Sequence, residues 1–512
     1  MTSPGSWIAN KVARVRPGKK TGAVAQPEQP SSAAAAEVQP QPTSKAAARP
    51  APARNTQERL QATLRRDGEA LTPRLLRRLL NDLQEVADAG VSDIEAGRRA
   101  EAVAQWYQAA KPEQQHDLWL LLSEQFAPDA AHVLSAQQRY SQAAGTDEAH
   151  QAEACLRRAL VSPRARLLQR FAVFPQGLHF LVQLRAQWLP LLKTDKRLLA
   201  LDAELEQLFS TWFDVAFLEL RRLSWDSPAS LLEKLIQYEA VHDIRSWADL
   251  KNRLDSDRRC YGFFHPRMPD EPLIFVEVAL VDALSDSITP LLDEQAVPAD
   301  LAKATTAIFY SISNTQTGLR GVSFGDSLIK HVVQTLMAEF PRLRVFATLS
   351  PIPGLRAWLG KHLAEQWALL TERERVELAR TLQLEPEWAR AAATAGATES
   401  AFLLARIQAA ADLALPAKSP LRQFITGCAA RYLGAALHEG RPVDPVARFH
   451  LGNGARVERL NWAADPSHKG IKQSLGLMVN YLYDLKRLDR HRKQLAQGRI
   501  PVSSDIEAYL PD

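Results

Sequence analysis

The tightest constraint on this chain is a strand, a glycine-bearing loop, an amphipathic helix and a second strand within residues 307–350. Ala307-Ile308-Phe309-Tyr310-Ser311-Ile312-Ser313 is β-branched and aromatic, the texture of a strand. After the loop, Leu328, Ile329, Val332, Val333, Leu336, Met337 and Phe340 hold one apolar stripe at helical spacing over 327–340, which predicts a helix packed on one side. Pro341 ends it, and Arg344-Val345-Phe346-Ala347-Thr348-Leu349-Ser350 follows as a strand. A crossover of this kind requires the two strands to be parallel neighbours. The loop therefore opens at the carboxyl end of a strand, where open α/β sheets present ligands.

The chain before this unit has a different texture. Leu75, Leu76, Leu79, Leu80, Leu83 and Val86 lie on one helical stripe, and breaks follow at Ala89-Gly90, Pro112, Pro128, Gly145, Pro163 and Pro175-Gln176-Gly177. Helices of ordinary length joined by short turns result. With 512 residues the chain exceeds one ordinary core, and three parts are expected. Residues 1–55 are an Ala/Pro-rich basic tail, 56–210 an all-α domain, and 211–512 a mixed α/β domain; the fold class is α+β. In the last part, 260–264 and 273–281 read as strands, much of 364–437 as helices, 456–462 as a late strand and 475–492 as a closing helix.

The tail has almost no large apolar side chain beyond Trp7 and Ile8, so it cannot bury enough surface to order. An organelle transit peptide is the alternative, but the prolines from Pro27 to Pro52 spoil a long amphipathic helix. Of the net charge of +5, eight Lys or Arg and two Glu give the tail +6 and leave −1 for the rest. The pI of about 9.0 therefore does not describe a basic folded face, and a nucleic-acid partner is not expected. Cys155, Cys260 and Cys428 lie far apart, which suggests neither a disulfide framework nor a zinc knuckle. The longest apolar runs fall far below the ~18 residues of a membrane span, so no membrane partner is expected. No HExxH or comparable spacing supports a metal site.

Three constellations have the means for chemistry. Gly318-Leu319-Arg320-Gly321-Val322-Ser323-Phe324-Gly325-Asp326 leads into a helix start, where free N–H groups favour an anion such as a pyrophosphate; it reads equally as a flexible turn with Asp326 or Ser327 as the cap. Ser350, in Leu349-Ser350-Pro351-Ile352-Pro353-Gly354, either reaches a substrate or caps a helix over 355–363. His450, in Phe449-His450-Leu451-Gly452-Asn453-Gly454-Ala455, is either a proton donor with an unshifted pKa near neutrality or a core histidine with both nitrogens satisfied. The basic run 486–493 reads as a solvated helix face.

Taken in order, 307–313, 320–330, 346–354 with its Ser-Pro-Ile-Pro-Gly, 449–455 and Gly476-Leu477-Met478-Val479-Asn480-Tyr481 resemble the malonyl-CoA decarboxylase family. The resemblance runs from about Phe213 to Tyr483. It implies a catalytic domain like the acetyltransferase (GNAT) fold, with the loop Arg320, Gly321, Val322, Ser323, Phe324, Gly325 and Asp326 on the CoA pyrophosphate. It also implies Ser350 and His450 as the catalytic pair, Ser311 and Tyr483 lining the malonyl pocket, and a homo-oligomer, dimer or tetramer, built through the helical domain. Ser323 and Asp326 depart from the family pattern, which has Glu and Thr there, and a carboxylate at Asp326 repels a phosphate unless it turns away to cap the helix.

Loss of CO2 from a malonyl thioester leaves an electron pair that the thioester itself delocalises as an enolate, so the resemblance implies no cofactor. The protein must hold the leaving carboxylate out of the thioester plane, donate hydrogen bonds to the enolate oxygen and supply a proton to carbon. Ser350 is assigned to the first or second task and His450 to the proton. The competing readings are a thioesterase or acyl-enzyme, an acetyl-CoA-dependent N-acyltransferase, and a non-catalytic acyl-CoA-binding scaffold. A bacterial-type cytoplasmic location is expected, or a mitochondrial one if the tail is a transit peptide.

Overall fold

Proline and short polar side chains set where the helices of the first part begin. In the computed structural model, which describes residues 71–510 apart from 323, 325–327 and 395, Pro73, Pro112 and Pro163 start helices whose missing N–H costs nothing there. Thr72, Ser92 and Ser162 cap their helices through side-chain oxygens. The helices are α1 (Pro73–Ala87), α2 (Asp93–Ala109), α3 (Pro112–Gln125), α4 (Ala130–Gln142), α5 (Ala149–Leu160), α6 (Pro163–Phe171), α7 (Gly177–Trp188) and α8 (Leu199–Trp212). On α1, Leu76, Leu79, Leu83 and Val86 are buried, the stripe that the spacing predicts. The expected tail 1–55 and the start of the helical domain at 56 lie outside the described residues.

Strands then take over: β1 (Glu219–Leu223), β2 (Arg258–His265), β3 (Met268–Val281), β4 (Thr306–Asn314), β5 (Val345–Thr348) and β6 (Ser350–Pro351). A small ribbon follows, β7 (Leu437–His438) with β8 (Arg441–Pro442), and then β9 (Arg456–Asn461) and β10 (Met478–Leu482). Between and after them run α9 (Ala229–Tyr238), α10 (Trp247–Arg253), α11 (Thr289–Leu292), α12 (Leu328–Glu339), α13 (Leu355–Ala368), α14 (Glu372–Thr381), α15 (Trp388–Thr394), α16 (Glu399–Ala410), α17 (Pro420–Gly434), α18 (Pro445–Gly452), α19 (His468–Ser474), α20 (Leu488–Ala496) and α21 (Ser504–Glu507). The described chain is thus α+β, a helical region followed by a mixed sheet with helices around it.

β1 to β4 pair in sequence order, all antiparallel, and β4 pairs with β5 in parallel, as the crossover through α12 requires. β10 is antiparallel to β5, β6 and β9. Two irregularities shape the site. The register of β3 on β4 slips between Glu277 and Val278, which face Ser311 and Phe309 and leave Tyr310 as the extra residue of a bulge. Parallel pairing of β4 with β5 also ends at Phe309 and Thr348. Beyond that point β4 runs on to Asn314 while the other chain turns into β6 and pairs with β10, so the two strands part at their carboxyl ends.

Three sequence expectations are corrected. The strand read over 344–350 is interrupted at Leu349, and Ser350 opens β6. The closing helix read over 475–492 is a central strand, β10, followed by the shorter α20. A brief apolar run has the same texture in a buried strand as in a buried helix. Tertiary partners decide here: the Asn480 amide donates to the carbonyls of Thr348 (2.7 Å) and Ser285 (3.0 Å), and positive φ at Leu475 and Gly476 breaks any helix. Ser350 is also not a helix cap, since Gly354 occupies that position before α13.

Candidate active site

One carboxylate joins the segments that carry the two candidate side chains. Asp444 caps α18 by accepting from the N–H groups of Val446 (2.9 Å) and Ala447 (3.0 Å), and it also accepts from Gly354 N–H (3.3 Å) in the loop after β6. Gly354 packs so closely that a Cβ there would lie 2.1 Å from the Tyr432 hydroxyl, which explains the glycine after Ser-Pro-Ile-Pro. With loop and helix tied together, Ser350 Oγ lies 3.3 Å from His450 Nε2 across a hundred residues of sequence.

Around this contact runs a directed chain of hydrogen bonds. Ser350 Oγ donates to Thr348 Oγ1 at 2.8 Å. Its only proton is thereby placed, so Nε2 of His450 must bear the hydrogen that meets Ser350. Nδ1 then accepts from the Tyr483 hydroxyl at 2.7 Å. This tautomer is assigned from the bonding pattern. Tyr481 stacks on the imidazole, centroids 4.7 Å apart. Burial without a nearby anion lowers the His450 pKa to about 3, because a charged imidazolium has no counter-charge there. The expectation of an unshifted histidine is thus corrected: in the free protein His450 is neutral.

Two cavities meet at this point. The inner one, about 220 Å³, is lined among others by Phe309, Ser311, Ile312, Ser350, Val446 and His450. The outer one, about 460 Å³, is lined among others by Arg320, Gly321, Val322, Phe324 and Arg448. Asn314 and Phe449 line both. The structure therefore brings Ser311, Ser350 and His450 to one cavity and the loop residues Arg320, Gly321, Val322 and Phe324 to its neighbour. Tyr483 sits behind His450 and is not among the lining residues. Ser323, Gly325 and Asp326 lie outside the described residues. Among the described residues no group of three or more His, Cys, Asp or Glu gathers as metal ligands.

Sequence models of the malonyl-CoA decarboxylase N-terminal domain and C-terminal domain match residues 126–213 and 216–512. The chain belongs to the malonyl-CoA decarboxylase family. It is 38% identical over 342 residues to the mitochondrial malonyl-CoA decarboxylase of Anser anser anser, covering 64% of this chain and 66% of that one. With the Rattus norvegicus mitochondrial enzyme it shares 36% identity over 386 residues, 71% of this chain and 73% of that one. The crystal structure of malonyl-CoA decarboxylase from Cupriavidus metallidurans is 42% identical and superposes with a TM-score of 0.67, covering 85% of this chain and 99% of the other. That from Agrobacterium vitis gives 35% and 0.70, with 85% and 100% covered.

Several residues of this family member's site escape a reading of the sequence. Thr348 was within reach, since it stands two residues before Ser350 and a period of two places both on one strand face. Arg448, Asp444 and Glu239 carry no such signal, because only tertiary packing brings them in. Arg185 of α7 is another. Its buried guanidinium donates to the carbonyls of Gly318 (2.9 Å) and Arg320 (2.8 Å) at the glycine loop and to Asp202 (2.9 Å) and Glu206 (3.1 Å). Arg185→Ala would leave Asp202 buried without its cation and two loop carbonyls without a donor. Urea titration should show a loss of roughly 3 kcal/mol in unfolding free energy, with Arg185→Lys recovering part because it keeps the charge but not the fork.

Proposed function

We propose that this chain decarboxylates malonyl-CoA to acetyl-CoA and CO2, with Ser350 stabilising the thioester enolate and His450 supplying the proton. The observation that carries this is the 3.3 Å approach of Ser350 Oγ to His450 Nε2 in a small cavity that adjoins the glycine-loop cavity through Asn314 and Phe449. The outer cavity suits CoA phosphates and the inner one a short acyl group. Strand order supports an acetyltransferase-like catalytic domain over 211–512: β4 and β5 pair in parallel and then part, which suits a pantetheine arm lying between them.

Catalysis follows from the hydrogen-bond directions. The bond between Cα and the carboxylate carbon breaks, its electron pair passes to the thioester as an enolate, CO2 leaves, and Cα takes a proton. One proton is consumed per turnover. A neutral imidazole is a poor acid, but the enolate that forms as CO2 leaves brings a negative charge beside it, which favours the imidazolium. Once Nδ1 is protonated, the Tyr483 hydroxyl turns from donor to acceptor and the ring remains held. Ser350 is released from Thr348 to meet the enolate oxygen.

The helical region over 56–210 is read as the oligomerisation domain of a dimer or tetramer. Support comes from α4 and α5, which bury only Ala136, Ala152 and Ala159 while Leu134, Tyr140, Leu160 and Val161 stay exposed. The location is read as cytoplasmic, or mitochondrial if residues 1–55 act as a transit peptide.

Purified protein incubated with malonyl-CoA in excess EDTA, with no acceptor amine, is expected to release one CO2 for each acetyl-CoA formed. Malonate with free CoA would instead make it a thioesterase. A requirement for an amine would make it an acyltransferase, and binding without turnover a scaffold.

A further inference from the structure

Among the residues that line the inner cavity with His450, Ser311 is bonded to a residue the reaction has not yet used. Glu239, at the end of α9 and buried, accepts from Ser311 Oγ at 2.7 and 2.8 Å through its two carboxylate oxygens. The same carboxylate accepts from Ser313 Oγ at 3.0 Å and from the N–H groups of Val241 (2.9 Å) and His242 (2.8 Å). Ser313 Oγ in turn accepts from Ala240 N–H at 3.1 Å. Lys469 secures the same loop by donating to the carbonyls of Ala240 (2.7 Å) and Val241 (2.9 Å). The buried Arg253 pairs with Asp249 (2.8 Å) and with Glu277 (3.1 Å), whose strand position faces Ser311.

We infer that Glu239 is a positioning residue that commits the single proton of Ser311, so that Ser311 meets the cavity as an acceptor and never as a donor. The inference rests on the decarboxylase reading and specifies how the inner cavity treats the leaving group. A serine hydroxyl has one proton and two lone pairs. Here the proton is shared between two oxygens of one carboxylate, an arrangement stronger than a neutral hydrogen bond.

The two walls of the cavity then differ in kind. One carries the Nε2–H of His450 and the Ser350 hydroxyl. The other offers Phe309, Ile312, Val241 and the lone pairs of Ser311, all of them on the cavity lining. A malonyl thioester whose carbonyl meets His450 and Ser350 leaves its carboxylate against Phe309, Ile312, Val241 and the lone pairs of Ser311. There the charge has lost its water and gained little in return. Breaking the Cα–carboxylate bond carries that electron pair across to the enolate, beside His450 and Ser350, and turns the carboxylate into neutral CO2. The charge leaves the poor wall for the good one as the bond breaks, which is ground-state destabilisation with a stated geometry.

Glu239→Gln tests this directly. The amide keeps a neutral oxygen for the Val241 and His242 N–H groups, 2.7 Å from Ser311, and puts an N–H where the second carboxylate oxygen accepted from Ser311 and Ser313. The serine proton is then no longer held by a charge and can turn to the substrate carboxylate. The expected result is a fall in kcat of roughly tenfold together with a fall in KM, the pattern of ground-state strain removed. Ser311→Ala should also lower KM for malonyl-CoA, and Glu239→Gln made in that background should add no further loss of kcat. A raised KM in Ser311→Ala would show that Ser311 binds the carboxylate as a donor and would overturn the inference. So would a loss of kcat from Glu239→Gln that persists without the Ser311 hydroxyl. Should Glu239→Gln fail to fold, the sign of the KM change in Ser311→Ala decides alone. Absence of CO2 release by the unsubstituted protein would instead remove the underlying reading.

Discussion

His450→Asn lowers kcat for CO2 release by roughly 10³, inside the range of about 10²–10⁴ associated with a positioned acid, while CoA itself still binds. The reasoning starts from the inner cavity, where His450 is the titratable lining residue whose Nε2 lies 3.3 Å from Ser350 Oγ. Ser350→Ala removes the hydroxyl that meets the enolate oxygen and should cost about 10²–10³ in kcat. Because both groups act on one developing charge, the double variant should lose far less than the product of the two. Tyr483→Phe should fall between wild type and His450→Asn, since the imidazole would keep its Ser350 contact and lose the 2.7 Å bond that fixes Nδ1. Steady-state CO2 release with calorimetric CoA binding separates the possibilities. Near wild-type turnover in both His450→Asn and Ser350→Ala would remove this pair from the chemistry.

How much of this was legible in the sequence depends on the range of the interaction concerned. The crossover 307–350 was legible because strand texture, a full-length apolar stripe and Pro341 all act locally, and β4, α12 and β5 lie where those signals put them. Ser350 and His450 were nameable through the ordered family motifs, but their meeting depends on Asp444 joining α18 to the Gly354 loop, a long-range bond with no local signature. The same limit hid Glu239 and Arg185, whose partners lie 72 and 133 residues away along the chain. The error over 475–492 has another origin. Four of the five residues of β10 are buried, and a strand covered on both faces needs no alternation, so β10 looks like any short apolar run until Asn480 and Tyr481 are seen beside Thr348. The charge state of His450 was misread for a related reason: an ordinary histidine pKa presumes solvent, and burial is a property of the fold.

That burial has a consequence for stability as well as for chemistry. His450 is held near pKa 3 by desolvation, and His242 near 4 by desolvation with Arg253 and Lys469 adding to the effect against an opposing pull from Asp465. The Nε2 of His242 also lacks a partner among the described residues. Both folded values lie below the ordinary histidine value of 6.5, so the unfolded chain binds protons first. The stability these neutral rings contribute is fully present above pH 6.5 and is lost as the pH falls toward the folded values. Between pH 7 and pH 4.5 each ring therefore costs about 2.5 kcal/mol, and the pair about 5. Glu277 works in the opposite direction, since burial and the neighbouring Glu239 push it up to about 8 and its proton favours the folded state as pH falls. The histidine contribution is therefore read from differences between variants. His450→Asn and His242→Gln, each compared with wild type by urea titration at pH 7 and pH 4.5, should each lose about 2.5 kcal/mol less on acidification, whatever their stability at pH 7. An acid sensitivity unchanged by either substitution would mean that these rings are not held neutral by the fold, and the assignment of a neutral His450 awaiting the enolate's charge would fall with it.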